Sequence, residues 1–165
     1  MYKRQALSSV TINEMVDCLD LVKAHEESRV LTLKGAGDKA FVAGADISEM
    51  SSKGEKELLD YVELGHSLMD KIESFATPVV ALVDGFALGG GFELALACDL
   101  IFASEKSKLG FPEVGLGLIP GFGGTQRVLS RVSVGMAKKL VYSGSHISAA
   151  EAYRVGLVDL SLIHI

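Results

Sequence analysis

An α/β fold is the prediction for this chain, and three features carry it. Short β-rich runs alternate with segments of helical period along most of the sequence. One run, Val79-Val80-Ala81-Leu82-Val83, is apolar throughout, as in a sheet covered on both faces. The chain holds 18 glycines against 3 prolines in 165 residues, which marks a backbone with many turns and close approaches. With 48% hydrophobic and 22% charged residues it can bury a sizeable core, and its length fits one domain or part of one.

The elements follow in order. Residues 10–27 carry Val10, Met15, Val16, Leu19 and Val22 at helical spacing with charges between them, which predicts an amphipathic helix. Arg29-Val30-Leu31-Thr32-Leu33-Lys34 alternates and is β-rich, so it predicts a strand, followed by the loop Gly35–Lys39. Residues 55–75 return to helical period through Leu58, Val62, Met69 and Ile72, until Thr77-Pro78 breaks the pattern. The apolar strand 79–83 leads through Asp84-Gly85-Phe86-Ala87-Leu88-Gly89-Gly90-Gly91 into a helix over 92–98. Leu100-Ile101-Phe102-Ala103 is a further strand, and residues 109–124 are Gly/Pro-rich. Helical patterns resume at about 124–131, 134–142 and 148–155.

Two units echo each other. Each runs strand, small-residue loop, helix, the first through Ala43-Gly44-Ala45-Asp46 and the second through Leu88-Gly89-Gly90-Gly91. At such a crossing the first N–H groups of the helix have no backbone partner, and small side chains let a ligand come close. Two such loops could converge on one oxygen.

Several function classes fall away. A net charge of −5 argues against nucleic-acid or anionic-membrane binding. No apolar run is long enough to span a bilayer, and the opening residues show no secretory pattern. Cys18 and Cys98 stand apart and read as small buried hydrophobes in a reducing cytosol. The four histidines, His25, His66, His146 and His164, lack ligand spacing, so no metal is expected. There is no G-x-x-x-x-G-K-[ST] and no G-x-S-x-G, and Gly115-Leu116-Gly117-Leu118-Ile119-Pro120 has proline where a dinucleotide fingerprint needs its third glycine.

Two acids remain. Glu93 sits among Phe92, Leu94, Ala95, Leu96 and Ala97, and Glu113 lies in Phe111-Pro112-Glu113-Val114-Gly115. Carboxylates in apolar company tend to be desolvated, with raised pKa values suited to proton transfer. Beside loops able to polarise a carbonyl, they are the parts needed for acid–base chemistry next to that carbonyl.

Three ordered stretches resemble the enoyl-CoA hydratase/isomerase (crotonase) superfamily: Lys39–Met50 with its Ala43-Gly44-Ala45-Asp46, Asp84–Asp99 with its Gly89-Gly90-Gly91-Phe92-Glu93, and Phe111–Arg127. The likeness runs from about residue 4 to 159. It implies a crotonase-like superhelix of repeated ββα units, truncated at both ends. It implies an oxyanion hole made by the N–H groups of Ala45 and Gly90 and a pair of acids at Glu93 and Glu113. It further implies reversible hydration of a trans-2-enoyl-CoA to a 3-hydroxyacyl-CoA, as in bacterial short-chain members and 3-hydroxybutyryl-CoA dehydratases. Glu93 is expected to activate water and Glu113 to protonate the α-carbon. By the same resemblance the CoA moiety lies along Arg4, Ala6 and Leu7 and along Ala43, Asp46 and Ile47, with Leu88 and Gly89 flanking the thioester. Phe92 either tightens the acyl pocket or belongs to the core, and Gln126 and Arg127 support a loop and subunit packing.

The resemblance implies no metal or redox cofactor, since CoA arrives with the substrate. It implies a cytoplasmic, bacterial enzyme whose full-length form is a homotrimer or a hexamer of two trimers. The alternatives are a Δ3,Δ2-enoyl-CoA isomerase or another enolate-forming acyl-CoA enzyme, and a non-catalytic family member binding acyl-CoA or RNA. Leu160-Ser161-Leu162-Ile163-His164-Ile165 does not look like family sequence. A core domain over 1–159 and a non-native tail over 160–165 are therefore expected.

Overall fold

The computed structural model describes residues 6–25, 27–37, 39–163 and 165. Its helices are α1 (Ser9–Lys23), α2 (Ile47–Ser52), α3 (Glu55–Glu73), α4 (Gly90–Leu96), α5 (Gly124–Arg127), α6 (Val134–Ser143) and α7 (Ala149–Arg154). Its strands are β1 (Leu31–Lys34), β2 (Ala40–Val42), β3 (Val79–Val83), β4 (Phe86–Leu88), β5 (Leu100–Ser104), β6 (Lys108–Gly110), β7 (Ile147–Ser148) and β8 (Leu160–Leu162). Two 3-10 turns cover Pro112–Leu116 and Val128–Ser130.

The strands divide between two four-stranded sheets, ordered β1-β3-β5-β8 and β2-β4-β6-β7. Every pairing is parallel except β6 with β7. Successive units each give one strand to either sheet: β1 and β2, then β3 and β4, then β5 and β6. This is the repeated unit the resemblance implies, and it explains why the sequence echoes itself. A shared device closes the first sheet at its strand starts. Asp99 accepts from the Val79 N–H at 2.7 Å, and Asp159 accepts from the Ile101 N–H at 2.7 Å.

Local chemistry sets the helix starts. Ser8 accepts from the Thr11 N–H, Ser133 from Met136 and Ser148 from Glu151. The Glu57 carboxylate accepts from the Gly54 N–H at 2.9 Å. α1 ends at Lys23, short of the expected 27. Its buried residues are Ile12 and Leu19, while Val10 is exposed.

Other expectations shift for stated reasons. The expected helix over 124–131 divides into α5 and a 3-10 turn. β4 and β6 are three residues each, too short to leave a period-2 pattern. Cys98 is buried as expected, but Cys18 is exposed, because it lies off the α1 stripe that carries Ile12 and Leu19. Phe92 is wholly buried with its ring centroid 4.7 Å from that of Phe111, so of its two expected places it takes the one in the core. The first residues of the expected 160–165 tail form β8, which pairs in parallel with β5 from Phe102↔Leu160 to Ser104↔Leu162. That pairing is made by backbone groups, so many side chains would satisfy it.

Candidate active site

The two crossings are built alike. In the first, Gly44 takes φ +119°, in the region L side chains rarely adopt. Leu7 then pairs across Ala45: its N–H donates to the Gly44 carbonyl at 2.9 Å, and its carbonyl accepts from the Asp46 N–H at 3.1 Å. Successive amides of an extended backbone alternate in direction, so binding the residues on either side turns the Ala45 N–H away from Leu7. In the second, Gly89 takes φ +52°, and its carbonyl accepts from the N–H groups of Phe92 and Glu93. Gly90 opens α4, so its N–H has no turn before it to bond to. Among the described residues, neither the Ala45 nor the Gly90 N–H donates to a protein acceptor. A Cβ at Gly90 would stand 3.4 Å from the Ala45 nitrogen, so the two free amides are neighbours.

Glu93 lies on α4, all seven residues of which are buried, and is itself 1% exposed. Its Oε1 accepts two backbone hydrogen bonds at 2.8 Å, from Phe122 and from Gly124. Burial raises its pKa, while these two donors and the His66 and Arg127 charges pull it back down. Gly124 has to be glycine for this contact, since a Cβ there would meet the Glu93 Cγ at 2.6 Å.

Glu113 lies on the 3-10 turn Pro112–Leu116. Desolvation, with Glu93 adding like-charge repulsion, pushes its pKa up to about 7. Its Oε2 is buried with no protein partner. Gly89 leaves room for it, because a Cβ at that position would stand 2.9 Å from the Glu113 Oε1. One cavity of about 500 Å³ is lined by Ala45, Gly90, Glu93 and Glu113 together. The predicted parts thus meet in one place: a pair of unpaired amides and a pair of carboxyl groups.

The remaining predicted positions divide. Ala43, Ile47 and Gly89 also line this cavity. Ala6 and Leu7 line a separate depression with Thr11 and Leu33. Leu7 serves the first crossing through its backbone, and its side chain is in the core. Asp46 caps α2, accepting from Ser48 and Glu49, and Leu88 pairs with Gly110. Arg4 falls outside the described residues. Among the described residues, no group of three or more His, Cys, Asp or Glu is placed to hold a metal ion.

Sequence reasoning missed three contributors. Phe122 and Gly124 hold Glu93 through backbone groups, which carry no side-chain signature, although the Gly123-Gly124 pair marks a close approach. Phe122 also walls the cavity, its ring 5.5 Å from that of Tyr61 and filling the space over Gly65. His66 lines the cavity from α3. Arg127 does support a loop, bonding the Phe122 carbonyl at 3.0 Å.

The model of the enoyl-CoA hydratase/isomerase family matches residues 2–162. A short-chain-enoyl-CoA hydratase of Clostridium acetobutylicum is 47% identical over 93% of this chain and 59% of its own. A crotonyl-CoA hydratase of Syntrophomonas wolfei matches with the same identity and the same two shares, 93% and 59%. The crystal structure of an enoyl-CoA hydratase from Bacillus anthracis superposes with a TM-score of 0.92 at 42% identity, covering 98% of this chain and 64% of that one. The chain therefore spans about three fifths of the length of the curated relatives it matches. It belongs to the enoyl-CoA hydratase/isomerase family and has the crotonase fold.

Proposed function

We propose that this family member carries the catalytic core of a hydratase that adds water across the double bond of a short trans-2-enoyl-CoA, giving a 3-hydroxyacyl-CoA. The observation that carries this reading is the shared cavity, with two unpaired amides and two unlike carboxyl groups on its wall. The Ala45 and Gly90 N–H groups donate to the thioester oxygen. They strengthen as the enolate forms, which lowers the barrier without reorganisation. Glu93 takes a proton from water while the water oxygen bonds to C3. The C2=C3 electron pair moves toward the thioester oxygen, and Glu113 gives its proton to C2. Dehydration runs the same steps backward.

The assignment of acid and base follows from environment. Glu113 has a pKa near 7 and an oxygen without a partner, so it retains a proton near neutral pH. Burial raises the Glu93 pKa too, but its two backbone N–H donors and the nearby Arg127 guanidinium oppose that rise and favour the ionised base. Short acyl chains suit a cavity walled by Phe122 and Tyr61 and agree with the names of two similar bacterial proteins. The same reading puts the protein in the cytoplasm, in keeping with two free thiols, and in a homotrimer or a hexamer. Light scattering on the purified protein checks the assembly.

The decisive experiment follows crotonyl-CoA hydration in Glu93→Gln and Glu113→Gln. Each is expected to lose about 10²–10⁴-fold in kcat, the range for removing a general acid or base. A Glu93→Gln variant that hydrates at the wild-type rate refutes water activation by Glu93. One that still shifts a 3-enoyl double bond to position 2 points to one-base isomerase chemistry instead.

A further inference from the structure

We infer that Arg127 is a positioning residue for Glu93, holding the turn whose two N–H groups fix that carboxylate; the inference rests on the hydratase reading above. The Phe122–Gly124 turn is gripped from two sides. On one side, the N–H groups of Phe122 and Gly124 converge on the Glu93 Oε1, each at 2.8 Å. On the other, the Arg127 Nη1 donates to the Phe122 carbonyl at 3.0 Å. The guanidinium fills the space beside Gly123, where a Cβ would stand 2.4 Å from Nη1 and the backbone has φ +91°. The turn thus wraps the guanidinium.

The guanidinium is itself anchored to a different element. Its Nε donates to the Glu73 Oε2 at 3.0 Å and its Nη2 to the Asp70 Oδ1, both on α3. The Arg127 side chain is 9% exposed, whereas Asp70 and Glu73 are 70% and 58% exposed. One planar fork with donors in fixed directions can serve three acceptors in this way; a lysine ammonium cannot reproduce that geometry. The charged and titratable groups facing Glu93 are His66 from α3, Arg127 from α5 and Glu113 from the 3-10 turn. Of these, only Arg127 bonds the turn that binds the carboxylate.

The test compares Arg127→Gln, Arg127→Lys and the double variant Asp70→Asn/Glu73→Gln. Three readouts are taken: kcat and KM for crotonyl-CoA, the titration midpoint of Glu93 by carboxyl ¹³C NMR, and the amide resonances of Phe122 and Gly124. Arg127→Gln is expected to lower kcat on the order of 10²-fold with KM little changed, as loss of orientation does. It should also raise the Glu93 midpoint and shift both amides. Arg127→Lys should recover part of this, and the double variant, whose acids are exposed, should lose less than Arg127→Gln. In a Glu93→Gln background, Arg127→Gln should cost little more. The inference is overturned if the midpoint and both amides stay in place, or if the kcat losses multiply in full. If Arg127→Gln does not fold, the lysine and double variants decide on the same readouts. If the wild-type protein does not hydrate crotonyl-CoA, the hydratase reading alone fails, since the Glu93 midpoint and the two amides still decide the role of Arg127.

Discussion

Glu93 and Glu113 reach one cavity from backbones of opposite character. Glu93 stands on a fully buried helix with two backbone donors on one oxygen. Glu113 stands on a 3-10 turn whose neighbours Val114, Gly115 and Leu116 are exposed, and its Oε2 has no protein partner. Burial raises both pKa values; the rise at Glu93 is opposed by donors from the distant residues Phe122 and Gly124, that at Glu113 only by its own backbone N–H. On the hydratase reading, this contrast is how one fold would make a base and an acid from the same residue type. It brings two distant donors to one carboxylate and leaves an oxygen of the other without a partner.

That contrast can be broken first at Glu93. Glu93→Leu orphans the N–H groups of Phe122 and Gly124, at about 1–3 kcal/mol each. Chemical denaturation should show a loss of about 2–6 kcal/mol. Glu113→Leu, by comparison, removes an oxygen that is already unsatisfied and should leave stability equal or higher. If the two leucine variants lose the same stability, the difference in support is not real.

A second test compares two glycines, one beside each acid. At Gly124 an added Cβ meets the Glu93 side chain at 2.6 Å and the Phe111 ring at 2.8 Å. Gly124→Ala should cost about 1–3 kcal/mol by overpacking and lower kcat by displacing the carboxylate. Its counterpart, Gly115→Ala, serves as the smallest effect below.

A third effect is pH-dependent. The Glu113 pKa is raised from its ordinary value to about 7, so the folded state disfavours its charged form. Relative to a neutral side chain, the wild type loses stability as pH rises through about 7, and carries no such penalty below the ordinary carboxylate range. Thermal melts should therefore show Glu113→Gln more stable than wild type at pH 8, by a few degrees at most, and equal to it at pH 4. An advantage that grew toward acid would reverse the sign and refute the assigned pKa. The smallest effect belongs to Gly115→Ala, where a Cβ meets nothing within 4 Å. Its stability should stay within about 0.5–1 kcal/mol of wild type, with any change favourable through the unfolded chain.

Much of the fold was legible because its signals are local. Helix α3 announces itself by period and ends before Pro78, and β3 reads as an apolar run. β4 and β6 were not legible, since three residues in a Gly-rich context show no period and only their parallel partners define them. In the site, Glu93 and Glu113 were visible as acids in apolar company. Phe122, Gly124 and Arg127 were less visible because their contribution is a backbone donor, a missing Cβ and a bridge to α3, 54 and 57 positions away. Phe92 was ambiguous for the same reason: an aromatic next to a predicted catalytic residue can face either way until the helix has a rotation.

The order of strands and helices, the glycines at the two crossings and the presence of two isolated acids are properties of the chain as written, because each depends on residues within a turn or two of one another. Which amides stay unbonded, and which carboxyl group receives donors from distant residues while the other keeps an unpartnered oxygen, are set by segments far apart in the chain. Leu7 reaches across to Gly44 and Asp46, and residues 122–124 close over Glu93. Hydrogen bonding and desolvation depend on what arrives in space, so only the folded arrangement assigns them.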